Sequence, residues 1–186
     1  MSSKVFETQL YIKNYNSNVI NQLIAFGVNL VKIKMIDNWQ YENETQIEST
    51  NEIEEKINSE KIVIIEGEYK KINCGCFISK IETNCYEFDI WISTKIYDAL
   101  EDNYISEKNS YIYDMILDIL KKSVAPNELL FCVSGVEMLV EYSSDFNEIL
   151  NNSSGVLQMI YLRNTKMPNI LSLNVRQDGD YVIIRQ

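Results

Sequence analysis

The sequence contains no histidine. That removes the commonest general base, the commonest metal ligand and every Ser-His or Cys-His nucleophile pair. Glycine is scarce at six residues, and proline scarcer at two. None of the glycines falls into G-x-x-x-x-G-K-[ST] or G-x-G-x-x-G, so the chain carries no phosphate-cradling loop. The same shortage leaves no Pro- or Gly-rich linker, and residues 1–186 are expected to fold as a single domain. Lysine and arginine total 17 against 27 acids, a net charge of −10. A nucleic-acid binder sets cations against phosphate, so this balance argues against one and admits a basic protein partner. No apolar run approaches the ~18 residues of a membrane span. The opening MSSKVFETQLY lacks the basic-then-apolar signature of a signal peptide. The expected location is therefore cytoplasmic, where the four cysteines stay reduced.

What is present is an ordinary globular composition, 46% hydrophobic and 24% charged. The organising stretch is Lys61 to Ser93, which reads as two or three strands and holds Cys74, Cys76, Cys85 and Trp91. Folding it about Thr83-Asn84 pairs Ile81 with Tyr86, Ser79 with Phe88 and Phe77 with Ile90, and on the other face Lys80 with Glu87 and Cys76 with Trp91. Before it, Val5 to Ile12 reads as a strand, and a short helix follows from Ser17 with Val19, Ile20, Leu23 and Ile24 on one face. Gly27 stands where a left-handed stop is wanted. Leu30 to Ile36 is a strand with Val31, Ile33 and Met35 predicted inward.

Residues 37–60 show little core periodicity and are expected to be a mobile surface segment, with a short helix after the Ser49/Glu52 capping box and only Ile53 and Ile57 apolar. Thr94 is placed to cap a short helix to about Leu100. Ser110 caps a better one, with Ile112, Met115, Ile116, Ile119 and Leu120 as its stripe and Lys121 and Lys122 at its negative end. Strands are expected at Leu129–Val133, Val136–Tyr142 and Val156–Arg163, with a helical turn or two over Ser144–Asn151. The chain closes on a hairpin turning at Asp178-Gly179, pairing Val175 with Val182 and Leu173 with Ile184. The fold class is α+β: a mainly antiparallel or mixed sheet of about six to eight strands with two or three helices packed on one face.

Cys74-Gly75-Cys76 with Cys85 resembles a metal site only at first sight, because a lone C-x-C without histidine lacks zinc-ligand spacing. Core packing is the reading adopted, and no metal or other cofactor is expected. Ser134 lacks the glycine two residues earlier that a nucleophile elbow requires. Carboxylates alternate on single strand faces at Glu66 and Glu68 and at Glu87 and Asp89, an arrangement that suits either a solvated face or an acid-base pair.

Surface recognition remains. Asp37, Trp39, Tyr41, Glu42 and Glu44 mix aromatics with acids, and Glu87, Asp89 and Trp91 do so on a strand face. Such residues suit a basic protein partner, the rings supplying buried area and the acids speeding encounter. The alternative for Trp39 and Trp91 is to cap the core from outside. The function expected is a small acidic protein-binding module that neutralises or scaffolds a basic partner by occlusion, of the toxin-immunity or phage-inhibitor type. Two alternatives stand beside it. One is a carboxylate-based hydrolase or transferase, with or without a divalent metal. The other is a subunit of a larger assembly or homo-oligomer, joined through the edge of the terminal hairpin.

Overall fold

The computed structural model describes residues 4–94, 110–163, 174–178 and 181–185. Its strands are β1 (Val5–Ile12), β2 (Asn29–Ile36), β3 (Thr45–Gln46), β4 (Ile62–Tyr69), β5 (Ile72–Glu82), β6 (Cys85–Ser93), β7 (Leu129–Leu139), β8 (Ser154–Arg163), β9 (Asn174–Asp178) and β10 (Tyr181–Arg185). They form one sheet in the order β3-β2-β4-β5-β6-β1-β7-β8-β10-β9. Every pairing is antiparallel. Seven strands of eight residues or more make its body, and the two-residue β3 and the terminal β9 lie at its edges. The helices are α1 (Asn18–Ala25), α2 (Ile53–Asn58), α3 (Ser110–Ser123) and α4 (Phe146–Asn152). This is the α+β architecture expected from the sequence.

Alternation along the strands divides the core between the sheet's two faces. On one face Phe6, Leu10 and Ile12 of β1, Cys76 and Ile78 of β5 and Phe88 of β6 pack with Val19 and Ile20 of α1, Ile53 and Ile57 of α2, and Ile112, Tyr113, Leu117 and Leu120 of α3. On the other face Tyr11, Phe131, Val133 and Leu157 pack with Ile149 of α4. Three helices thus cover one face, and α4 covers part of the second. Among the described residues no helix is long and apolar enough to cross a membrane.

Several elements lie where the sequence puts them, with bulges changing the register. Val5–Ile12 and the Ser110 helix match, and Gly27 takes φ +101° as the stop of α1. The cap of α1 differs: the Asn18 amide donates to Asn16 Oδ1, and the Ser17 side chain makes no cap bond. In β2 a register shift between Leu30 and Lys32 turns Val31 outward, 64% exposed, and puts Leu30 with Ile33 and Met35 against the core. The two strands expected between residues 129 and 142 are one continuous β7.

The central hairpin does turn at Thr83-Asn84, but a bulge between Lys80 and Glu82 slides every later pair by one residue. Ile78 therefore opposes Phe88 and Cys76 opposes Ile90, which completes an apolar face. Ser79 opposes Glu87, Phe77 opposes Asp89 and Gly75 opposes Trp91 on the reverse side. The terminal hairpin is displaced by two residues, so Val175 pairs with Ile184 and Asp178 belongs to β9. A shift of two preserves the faces, as the strand period requires. The helix expected from Thr94 and the partner Leu173 lie outside the described residues.

All four cysteines are buried free thiols, and burial pushes Cys85 and Cys132 up to about 12. They fill the core, as cysteine does when it is not a thiolate.

Candidate functional site

Residues 37–60 hold eight acids against one lysine and so carry most of the chain's net charge of −10. The segment is anchored: Ile47, Ile53 and Ile57 are all buried in the helix-covered core. It also wraps a sheet edge. Trp39 contacts Phe77, on the face opposite α1–α3, with ring centroids 5.6 Å apart, while α2 packs on the helix face and β3 covers the edge of β2 between them.

The loop from 37 to 44 is pinned by its own bonds. The Asp37 amide donates to the Glu42 carbonyl at 3.0 Å, and the Tyr41 amide to the Asn38 carbonyl at 3.0 Å. Asn38 Nδ2 donates to Glu42 Oε2, and Asn43 Nδ2 to Asp37 Oδ2, both at 2.7 Å. Lys61 lies 2.8 Å from Asp37 Oδ1 and holds that carboxyl below its usual range. Glu44 is held down likewise, by Lys34 at 3.0 Å and Lys32 at 3.1 Å. Tyr41 and Asn43 sit at φ +61° and +52°, a conformation that surrounding bonds must enforce on non-glycine residues. This frame holds out two large rings, Trp39 at 52% and Tyr41 at 51% exposed.

Phe77 links the loop to the second group of expected residues, since it stands directly opposite Asp89 on the same sheet face. The structure thus brings Trp39 and Asp89 to one side of the sheet, with Glu87 and Trp91 alongside. Their environments differ from the exposed patch the sequence suggests. Glu87 is only 8% exposed: Tyr11 Oη lies 2.7 Å from its Oε1, and Ser79 Oγ and Gln9 Nε2 also donate to it. Its carboxyl is turned inward rather than out to solvent. Trp91 lies across Gly75, where an added Cβ would stand 2.6 Å from the indole.

Sequence reasoning missed Glu7, Gln9 and Tyr11 of β1. They stand opposite Trp91, Asp89 and Glu87 and turn the strand face into a buried acidic cluster. Burial raises Asp89 to about 8, helped by repulsion from Glu7 and Glu87. Burial raises Glu7 to about 7, with Glu137 adding repulsion. Glu87 is raised by the same desolvation. Among the described residues Asp89 Oδ1, Glu7 Oε2 and Trp91 Nε1 are buried without a hydrogen-bond partner.

Tyr11 ties Glu87 to the chain just after β7. Its Oη lies 2.7 Å from Glu87 Oε1 and 2.9 Å from the Val140 carbonyl. The phenol is the donor to both, its single proton shared between the two acceptors, and its bond to Glu87 opposes the desolvation that raises that carboxyl. Burial pushes Glu7, Glu87 and Asp89 toward the neutral form, whereas lysines hold Asp37 and Glu44 of the 37–60 segment in the charged form. The only signal for this in the sequence is the alternation of Glu7, Gln9 and Tyr11, and nothing local says which strand they meet.

Among the described residues no set of three or more acids and cysteines is placed to hold a metal ion. No protein-family profile, curated protein or solved structure shows detectable similarity to the chain.

Proposed function

We propose that the chain is an acidic protein-binding module that docks a basic partner on the Trp39–Tyr41 loop and the adjoining acidic segment, acting by occlusion. The observation that carries this reading is the pinned loop, which presents two half-exposed aromatics beside the acids of 37–60. Rigid aromatics lose little entropy on binding, and acids around them steer a basic surface into contact. Asp37 and Glu44 are already neutralised by lysines, so steering falls to exposed acids such as Glu42, Glu48 and Glu54. A toxin-neutralising or inhibitor role fits this chemistry, because covering a cationic surface needs charge and area but no catalytic group.

Capture from the source cells, with elution in rising salt, tests it. Wild-type protein is expected to retain one basic protein that leaves at moderate salt. Trp39→Ala with Tyr41→Ala should weaken that affinity by about 30-fold or more, the scale of losing an interface anchor. Equal retention by wild type and the double variant sinks the proposal.

A second reading, acid-base chemistry by carboxylates, is favoured by the values of about 7 and 8 at Glu7 and Asp89, which suit a general acid near neutral pH. Calorimetric titration of magnesium, manganese and calcium tests its metal-dependent form: heat from tight binding supports it, and a flat trace removes it.

A further inference from the structure

On the sheet face opposite the acidic cluster, a half-open cavity of about 130 Å³ lies between strands β1, β2, β4, β5 and β6 and helices α1 and α3. Its wall includes Val19 and Ile20 from α1, Ile65 and Cys76 from the sheet, and Met115 and Leu120 from α3. No charged side chain borders it among the described residues. Three residues of the wall carry hydroxyls: Thr8 is engaged with Ser134 Oγ at 3.0 Å, Ser123 with the Ile119 carbonyl at 2.7 Å, and the third is the phenol of Tyr69. The thiol of Cys76 is directed to the Phe77 carbonyl.

We infer that this cavity is a binding site for an uncharged apolar ligand of about benzene's size. Three observations set the ligand class. The volume is close to the ~150 Å³ of an apolar cavity known to stay dry and admit benzene or xenon. A bound water needs two or more polar partners, and the wall is almost wholly apolar, with Thr8 and Ser123 already bonded to protein. A carboxylate or ammonium has nothing here to pair with, so desolvation excludes charged relatives of the same shape. The site is independent of the docking loop, because the sheet separates them.

Benzene and xenon are the probes, with benzoate as the charged control. Saturating benzene should raise the melting temperature of the whole chain by about 3 °C, since a ligand confined to the native state stabilises it. Benzoate should leave it unchanged. Xenon pressure should shift the Met115 methyl resonance along a saturating curve, and this measurement needs no variant. Met115→Trp, which fills the space, should abolish the benzene effect. An equal response to benzoate, a benzene response that survives Met115→Trp in a folded variant, or an unmoved Met115 methyl overturns the proposal.

Discussion

The stability of this protein should fall as pH rises from 5 to 9, and Asp89→Asn should remove much of that slope. The native pKa of Asp89 is about 8 against an ordinary value of 3.8, and Glu7 stands at about 7. Where the native value exceeds the unfolded one, the folded state binds more protons between the two. The contribution is therefore fully present below pH ~4 and is lost as pH rises through about 7 to 8. A tenfold difference in proton affinity between native and unfolded chain is worth about 1.4 kcal/mol. With repulsion shared across the cluster, the expected loss at Asp89 is on the order of 3 kcal/mol. Urea unfolding at several pH values measures it. Asp89→Asn, which keeps the shape without titrating, should be more stable than wild type at pH 8 by that order and nearly equal to it below pH ~4. General repulsion from the net charge acts on both proteins, so the difference between them isolates the cluster. A wild-type stability that is flat or rises toward pH 8 contradicts the assignment of neutral acids.

The second large effect is expected at Gly155. Its φ is +79°, and an added Cβ would stand 1.9 Å from the Glu137 carbonyl oxygen. The opposing residue, Glu137, is itself at φ +47°, and the β7–β8 register slips between Val136 and Leu139. The backbones approach so closely that only a hydrogen fits, and both neighbours are main chain and cannot swing aside. Gly155→Ala combines left-handed strain with this overlap and should cost about 3 kcal/mol, at the upper end for point substitutions. Denaturant midpoints at constant m-value measure it. A loss below about 0.5 kcal/mol, the scale of an ordinary surface change, shows that the bulge relaxes freely. The bulge also sets Glu137 near Glu7, so the same strand irregularity contributes to the raised carboxyl of the cluster.

How much was legible in the sequence follows from how local each signal is. The strand Val5–Ile12 and the helix from Ser110 are written in their own periodicity and flanking residues, and the structure has both at those places. The turn at Thr83-Asn84 was legible too, yet the pairing was not. The extra residue at the bulge beside Ile81 has no local mark, and one residue of slip moves Glu87 from Lys80 to Ser79. Val31 turned outward for the same reason in β2. The loop aromatics Trp39 and Tyr41 stood out because nothing periodic surrounds them, and both are half exposed. What wrapped their segment against the core was the spacing of Ile47, Ile53 and Ile57, of which Ile47 lies outside the helix and gave no pattern. The acidic cluster and the cavity were invisible for a deeper reason. Each assembles residues from strands and helices far apart in the chain, and only the sheet order joins them.

Docking of a basic protein on the Trp39–Tyr41 loop is the proposal on which the functional reading rests. Its most direct test is in-cell photo-cross-linking with p-benzoylphenylalanine in place of Tyr41, read by mass spectrometry. A matched control carries the same group in place of Tyr111, which is 50% exposed on α3 and belongs to the helix-covered side. The account predicts one basic protein joined through position 41 and absent from the position 111 sample. No cross-link at 41, or the same proteins from both positions, contradicts it.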